Sequence, residues 1–231
     1  MKRGAEMKLT ILYDSEAEQG LMKGWGFSCL LELESENVLF DTGWDGRMLL
    51  FNMKKLGKNP KQIKKIVISH SHWDHMGGLP YLLREGVEVY VPQSFSKHLK
   101  EEIASRSDLR EMTGAQKICE EVWTTGELGE RTKEQSLIVK TGGGLVVVVG
   151  CAHPGLGKIF KIASRFGKIA GVVGGMHGFR DYALLKGLSL IMPSHCTANK
   201  GKIAELFPEA CVVGRAGLKI TWNSRCNLLS L

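Results

Sequence analysis

One ten-residue segment limits the fold and chemistry of this 231-residue chain more than any other: Ser69-His70-Ser71-His72-Trp73-Asp74-His75-Met76-Gly77-Gly78. Three of the seven histidines fall within six positions, with a carboxylate between the last two. The apolar run IKKIVIS (63–69) ahead of it reads as a buried strand. The histidines therefore begin where a strand ends and a loop can turn side chains toward one point. In an extended stretch, residues two apart project to the same side, which puts His70 beside His72. Asp74 and His75 follow the turn, where the start of a helix directs them to a neighbouring point. Such donors suit zinc, with iron or manganese as alternatives, and two adjacent ions would share a water or hydroxide.

The remaining pattern predicts a single domain over residues 1–231, of the α/β class. Strands are expected at 7–14, in FSCLLELE and VLFDTG around a turn at Ser35-Glu36-Asn37, in VEVYVP, and in KICEEVW. QSLIVKT and LVVVVG form a hairpin through Gly142-Gly143-Gly144, which lacks the ending of a phosphate loop. IAGVVGGMH, LSLIMPSH, ACVVG and LKITW complete the strands. Helices are expected at 46–57, in LPYLLREG closed by Gly86, from a Ser94 cap through Arg106, and at 155–166. A last helix follows Thr197 with Ile203, Leu206 and Phe207 inward. Many strands followed by helix–strand alternation fit two sheets with helices on their outer faces, a four-layer αβ/βα sandwich.

HSHWDH followed by Gly-Gly resembles the HxHxDH signature of the metallo-β-lactamase superfamily. VLFDTG is similar to that superfamily's first motif, an aspartate at a strand end (here Asp41) that supports the site from behind the ligands. His153 and His195 each follow a strand, where the resemblance implies the remaining histidine ligands. It implies one ion held by His70, His72 and His153, and a second held by Asp74, His75 and His195. GCAHPG (150–155), GGMH (174–177) and PSHCT (193–197) are similar to a branch that includes an archaeal dihydropterin-type synthase. That synthase joins a dihydropterin diphosphate to a ribofuranosyl-aminobenzene phosphate. The chain departs from the wider family where most relatives carry a bridging aspartate after a hydrophobic strand. The matching spot follows LVVVVG and holds Cys151, and between Glu134 and Glu205 the only carboxylate is Asp181. The bridge is thus Cys151, Asp181, a water, or absent.

These observations lead to a metal-dependent hydrolase of an anionic ester or phosphoester, working through a metal-bound hydroxide with Asp74 and His177 as catalytic residues. The alternatives are a transferase of the dihydropterin synthase type and an RNA-processing nuclease. His177 has three open roles: ligand, proton donor, or hydrogen-bonding core residue. His153 could also be a plain helix-entry residue. Cys196 reads as a small buried thiol rather than a nucleophile, and His98 as a surface residue. Trp25, Trp44 and Trp73 flank the site loops and could stack on a flat ring, although a core position is the default for such residues.

A net charge of +7, from 31 basic and 24 acidic residues, favours a small anionic, phosphate-bearing substrate. The lysines are dispersed with no block of like charge, which disfavours nucleic acid. Met1 to Lys8 show no signal peptide, no run is long enough to span a bilayer, and the six cysteines form no CxxC pair. A cytoplasmic protein with small buried thiols is expected.

Overall fold

The computed structural model describes residues 6–223 and 226–230. Its strands form two sheets. The larger comprises β1 (Glu6–Tyr13), β2 (Ser28–Glu32), β3 (Asn37–Phe40), β4 (Ile63–Val67), β5 (Glu88–Pro92), β6 (Asp108–Met112), β13 (Lys219–Asn223) and β14 (Cys226–Ser230), in the order β14-β13-β1-β2-β3-β4-β5-β6. The smaller comprises β7 (Gln116–Cys119), β8 (Val122–Thr124), β9 (Leu137–Thr141), β10 (Gly144–Val149), β11 (Ile169–Gly175) and β12 (Leu190–Ser194), in the order β12-β11-β10-β9-β8-β7. Helices α1 (Gly46–Lys55), α2 (Trp73–Met76) and α3 (Lys97–Ala104) cover the outside of the larger sheet, and α4 (Leu156–Ala163) and α5 (Lys200–Leu206) the outside of the smaller. The expected four-layer αβ/βα sandwich is observed.

The layers follow from the two-residue period of the strands. Leu9, Ile11, Phe40 and Val67 of the larger sheet share the middle core with Val146, Val148, Val173 and Met192 of the smaller. Their neighbours in sequence face the other way. Leu39, Ile66 and Ile68 pack with Leu49, Met53 and Ile103 under the helices, while Val147, Val149, Val172 and Ile191 pack with Leu156, Ile159 and Ile203. Strands β3, β4 and β5 run parallel to one another, as do β10, β11 and β12. Their C-terminal ends deliver the loops that carry the histidines. No helix among the described residues is long and apolar enough to cross a membrane.

Several expected elements differ. LPYLLREG forms only a 3-10 turn at Leu79–Tyr81, the apolar residues Leu79, Leu82 and Leu83 being drawn individually into the core. KICEEVW is two strands, folded back where Glu121 takes φ 61°. Strand β6, with the polar sequence DLREM, was not expected; it is an edge strand whose charges need no apolar alternation. ACVVG contributes only an isolated bridge from Cys211 to Ile191. The cap of α3 is Ser96, whose Oγ accepts from Leu99 N at 3.3 Å, while Ser94 N donates to Glu127. In α5, Ile203 is buried but Leu206 is exposed, since the helix ends within one further turn.

Phe40 is fully buried between the sheets, edge-on to Phe27 at 6.4 Å between ring centroids. Replacing it with alanine should cost about 3–5 kcal/mol through lost burial and a residual cavity. Urea denaturation should show a lower midpoint with an unchanged slope.

Candidate metal centre

The centre is assembled around a carboxylate. Asp41 follows β3, is fully buried, and holds φ 57°, a left-handed conformation costly for a side-chain-bearing residue. Its Oδ1 accepts from Ser69 N at 2.7 Å, and its Oδ2 accepts from Ser69 Oγ at 2.7 Å and from His75 Nδ1 at 2.7 Å. The loop after β4 is thereby tied to the end of β3. Because the Ser69 hydroxyl spends its one proton on Asp41, its oxygen accepts from His70 Nδ1 at 2.8 Å. That leaves His70 Nε2 with a free lone pair, 3.0 Å from His72 Nδ1. The close approach of Gly77 to Trp44 lets this loop pack: a Cβ at Gly77 would lie 2.1 Å from the Trp44 carbonyl oxygen.

Two donor triads converge at the strand ends. Donor atoms of His70, His72 and His153 lie within 4.8 Å of one another, and so do those of Asp74, His75 and His195. These are the two sets that the sequence resemblance implied, drawn from both sheets. His153 Nε2 is buried with no hydrogen-bond partner, and an orphaned lone pair facing other imidazoles fits a cation. The donor chemistry fits as well, since imidazoles with one carboxylate are ligands for zinc or iron.

The electrostatics disfavour protonation of two members of the first triad, His70 and His153. Burial, then the neighbouring His75, His153 and His72, hold His70 far below its ordinary value of 6.5. Burial and then His177 and His72 lower His153 to about 4. In the second triad, burial alone would raise Asp74, but the hydrogen bond from His195 and the charge of His75 bring it down to about 2. His195 Nε2 donates to Asp74 Oδ2 at 3.0 Å, and His75 Nε2 lies 3.6 Å from the same oxygen. Asp74 is therefore ionised at neutral pH and cannot serve as a proton donor.

Sequence reasoning missed two buried carboxylates that position the ligands. Glu134 Oε1 accepts from Gly150, Cys151 and Ala152 N at 3.1, 3.0 and 2.9 Å, and Oε2 from His153 N at 2.8 Å. It cradles the whole loop that presents Cys151 and His153. Asp14, at the end of β1, accepts from His195 N at 3.2 and 3.1 Å and so fixes the third ligand loop. TILYD (10–14) has the apolar-strand-then-aspartate form of NVLFD (37–41), which was an available signal for Asp14. Ala152, His177 and His195 also have positive φ, at 56°, 43° and 42°. With Asp41 they account for all but one of the side-chain-bearing left-handed residues described. Such strain, about 1–3 kcal/mol each, is characteristic of sites that fix side-chain direction.

The other candidates separate clearly. His177 is exposed at the mouth, its ring 4.6 Å from that of His153. Asp181 is exposed and belongs to neither triad. Cys151 is buried and Cys196 partly buried, their sulfurs 3.3 Å apart; the hydrogen bond between them raises Cys151 and lowers Cys196 to about 5. Cys29 and Cys119 are buried and Cys211 is partly buried, while the Cys226 side chain lies outside the described residues. Trp25, Trp44 and Trp73 are 57%, 51% and 51% exposed, so the default core position does not hold for them. Trp25 stands at the site, its ring 4.6 Å from that of His195, and Trp73 lies between His72 and Asp74 in the sequence.

The family model for the metallo-β-lactamase superfamily matches residues 26–162. A 7,8-dihydropterin-6-methyl-4-(β-D-ribofuranosyl)-aminobenzene-5'-phosphate synthase of Methanocaldococcus jannaschii is 29% identical, over 77% of this chain and 82% of its own length. A solved metal-dependent hydrolase of the β-lactamase superfamily is 25% identical with a TM-score of 0.74, covering 92% of this chain and 98% of its own. The short form of human tRNase Z is 16% identical with a TM-score of 0.60, covering 92% and 98%, and shares the fold.

Asp41→Asn should lower metal affinity by about 10–100-fold, read by competition with a chromophoric chelator, because an amide has one acceptor oxygen and cannot accept all three hydrogen bonds from Ser69 N, Ser69 Oγ and His75 Nδ1. His153 supplies a pH test on metal-free protein. Its folded pKa of about 4 lies below the ordinary 6.5, so between those values the unfolded chain takes up a proton that the folded one refuses. Its contribution to stability is present above pH 6.5 and lost as pH falls toward 4. The stability difference between wild type and His153→Gln should accordingly move in the variant's favour over that interval.

Proposed function

The chain belongs to the metallo-β-lactamase superfamily, and from that premise we propose that it is a metal-dependent hydrolase of a small anionic ester or phosphoester. The observation that carries this reading is the meeting of the two triads at one edge of the sandwich. His70, His72 and His153 would hold one cation, and Asp74, His75 and His195 a second. Zinc is the proposed metal, with iron or manganese as alternatives. When bound, it would polarise the substrate oxygen and lower the pKa of a coordinated water to about 7.

The chain's own residues supply orientation and charge. Asp74, kept ionised by His195 and His75, is the only carboxylate among the grouped donors of the described residues. A donor set so poor in negative charge leaves a loaded site positive, which favours an anionic substrate. His177 stands exposed beside His153, where its ring can donate to a developing oxyanion or leaving group. Trp25, Trp44 and Trp73 offer apolar walls to the body of the substrate.

A second reading is favoured by the Methanocaldococcus jannaschii relative. The same centre would hold a departing diphosphate while an aromatic nucleophile attacks carbon, with the exposed tryptophans stacking on a planar ring. We do not propose a nucleic-acid partner. Part of the basic charge is met by ion pairs, such as Lys58 with Glu32, Lys65 with Glu36 and Glu88, Lys100 with Glu111, and Arg110 with Glu88.

Metal content should be measured together with turnover of ester, lactone and phosphodiester probes. His70→Ala should lose metal and reduce turnover by at least about 10²-fold, the lower bound set by what loss of a mere supporting residue costs. Intact hydrolysis in His70→Ala would sink the metal mechanism. Diphosphate release that requires an aromatic amine, with no ester cleavage, would favour the transferase reading.

A further inference from the structure

Cys151 sits where the donor set crosses. Its sulfur groups within 4.8 Å with ring nitrogens of His70 and His75, with those of His153 and His177, and with His195 and Cys196. A single buried atom therefore reaches two donors of each triad, and it lies 3.1 Å from His75 Nε2. The backbone enforces this position. Cys151 N donates to Glu134, and the left-handed Ala152 reverses the chain so that Cys151 and His153 enter one site. Gly175 leaves the room that the sulfurs need: a Cβ there would come within 2.7 Å of Cys196 Sγ and 3.4 Å of Cys151 Cα. Asp181, the other residue able to serve as a bridge, is exposed and outside every such group.

We infer that Cys151 binds metal as a thiolate shared between the two cation positions. The Cys151 thiol gives its proton to solvent as the sulfur–metal bond forms, with no change in oxidation state. This rests on the metal-centre reading above and extends it to metal choice. A thiolate at the shared position suits zinc or cadmium and works against manganese, which prefers oxygen donors.

The test uses the full chain, reduced and stripped of metal, then loaded with cobalt(II) or cadmium(II). Thiolate-to-metal charge-transfer absorbance and metal equivalents are read together. Wild type should show the charge-transfer band. Cys151→Ser should lose the band and the second equivalent, and Cys196→Ser should keep both. Wild type that binds cobalt or cadmium without the band, or Cys151→Ser that retains it, would overturn the inference and leave the metal centre standing. Failure of wild type to bind either metal would overturn the metal centre and this inference with it. Should Cys151→Ser not fold, cadmium NMR of wild type decides, since a sulfur ligand moves the resonance far from that of a nitrogen and oxygen site.

Discussion

The site depends first on one buried carboxylate. Asp41 has no lysine or arginine partner among the described residues, and its charge is met instead by Ser69 N, Ser69 Oγ and His75 Nδ1. Each of these contacts does structural work on a different ligand. The serine amide fixes the start of the histidine loop, the hydroxyl sets the proton position on His70, and the third contact orients His75. Without the carboxylate, three groups at the end of β4 would be buried with unmet hydrogen-bonding capacity, at roughly 1–3 kcal/mol each. The left-handed backbone at Asp41 is tolerated because these bonds and that of Ser28 Oγ to its carbonyl overdetermine it.

Glu134 and Asp14 repeat this arrangement on the other two loops. Each gathers backbone N–H groups of a ligand-bearing turn, Glu134 around Cys151 to His153 and Asp14 at His195. Gln135 closes the gap between the sheets: its amide nitrogen donates to the carbonyls of Ile68 and Tyr90, and its backbone N to that of Ser69. The three loops come from distant parts of the chain, and polar residues buried behind them set their mutual positions. Placement of this kind aims imidazoles from separate loops at one point.

This explains what could be read in advance and what could not. His70, His72, Asp74 and His75 are legible because the pattern is local, a dense run at the end of an apolar strand. The sheets were legible from two-residue alternation in segments such as LVVVVG, and α4 from Leu156, Ile159, Phe160 and Ala163 at helical spacing. Glu134 and Gln135 were not, because each is an ordinary polar residue before a strand and acquires its role from partners 16 to 67 positions away. Strand β6 was missed because an edge strand need not alternate, and LPYLLREG misled because burial of single leucines overrode helical spacing. The exposure of the three tryptophans is likewise a tertiary property, since nothing adjacent in sequence separates a core indole from one at the rim of a cleft.

The same carboxylates give the centre its electrostatic character. Asp14, Asp41 and Glu134 are all fully buried, and among the described residues only Asp14 is in an ion pair with an ammonium, Lys200 Nζ at 3.9 Å. Burial disfavours their charge and raises Asp14 and Glu134, the backbone N–H groups answering only in part. His75 responds in the opposite sense: burial pulls it down, but the charge and hydrogen bond of Asp41, then Asp74 and Glu134, raise it overall. The buried carboxylates thus make a negative field at His75 that favours a proton there. A cation taken up by the triads would answer the same field, so its uptake would be coupled to the stability of the loops around it. A cation and a proton would thus answer the same field, and Asp41, the carboxylate bonded to His75 Nδ1, contributes most to it.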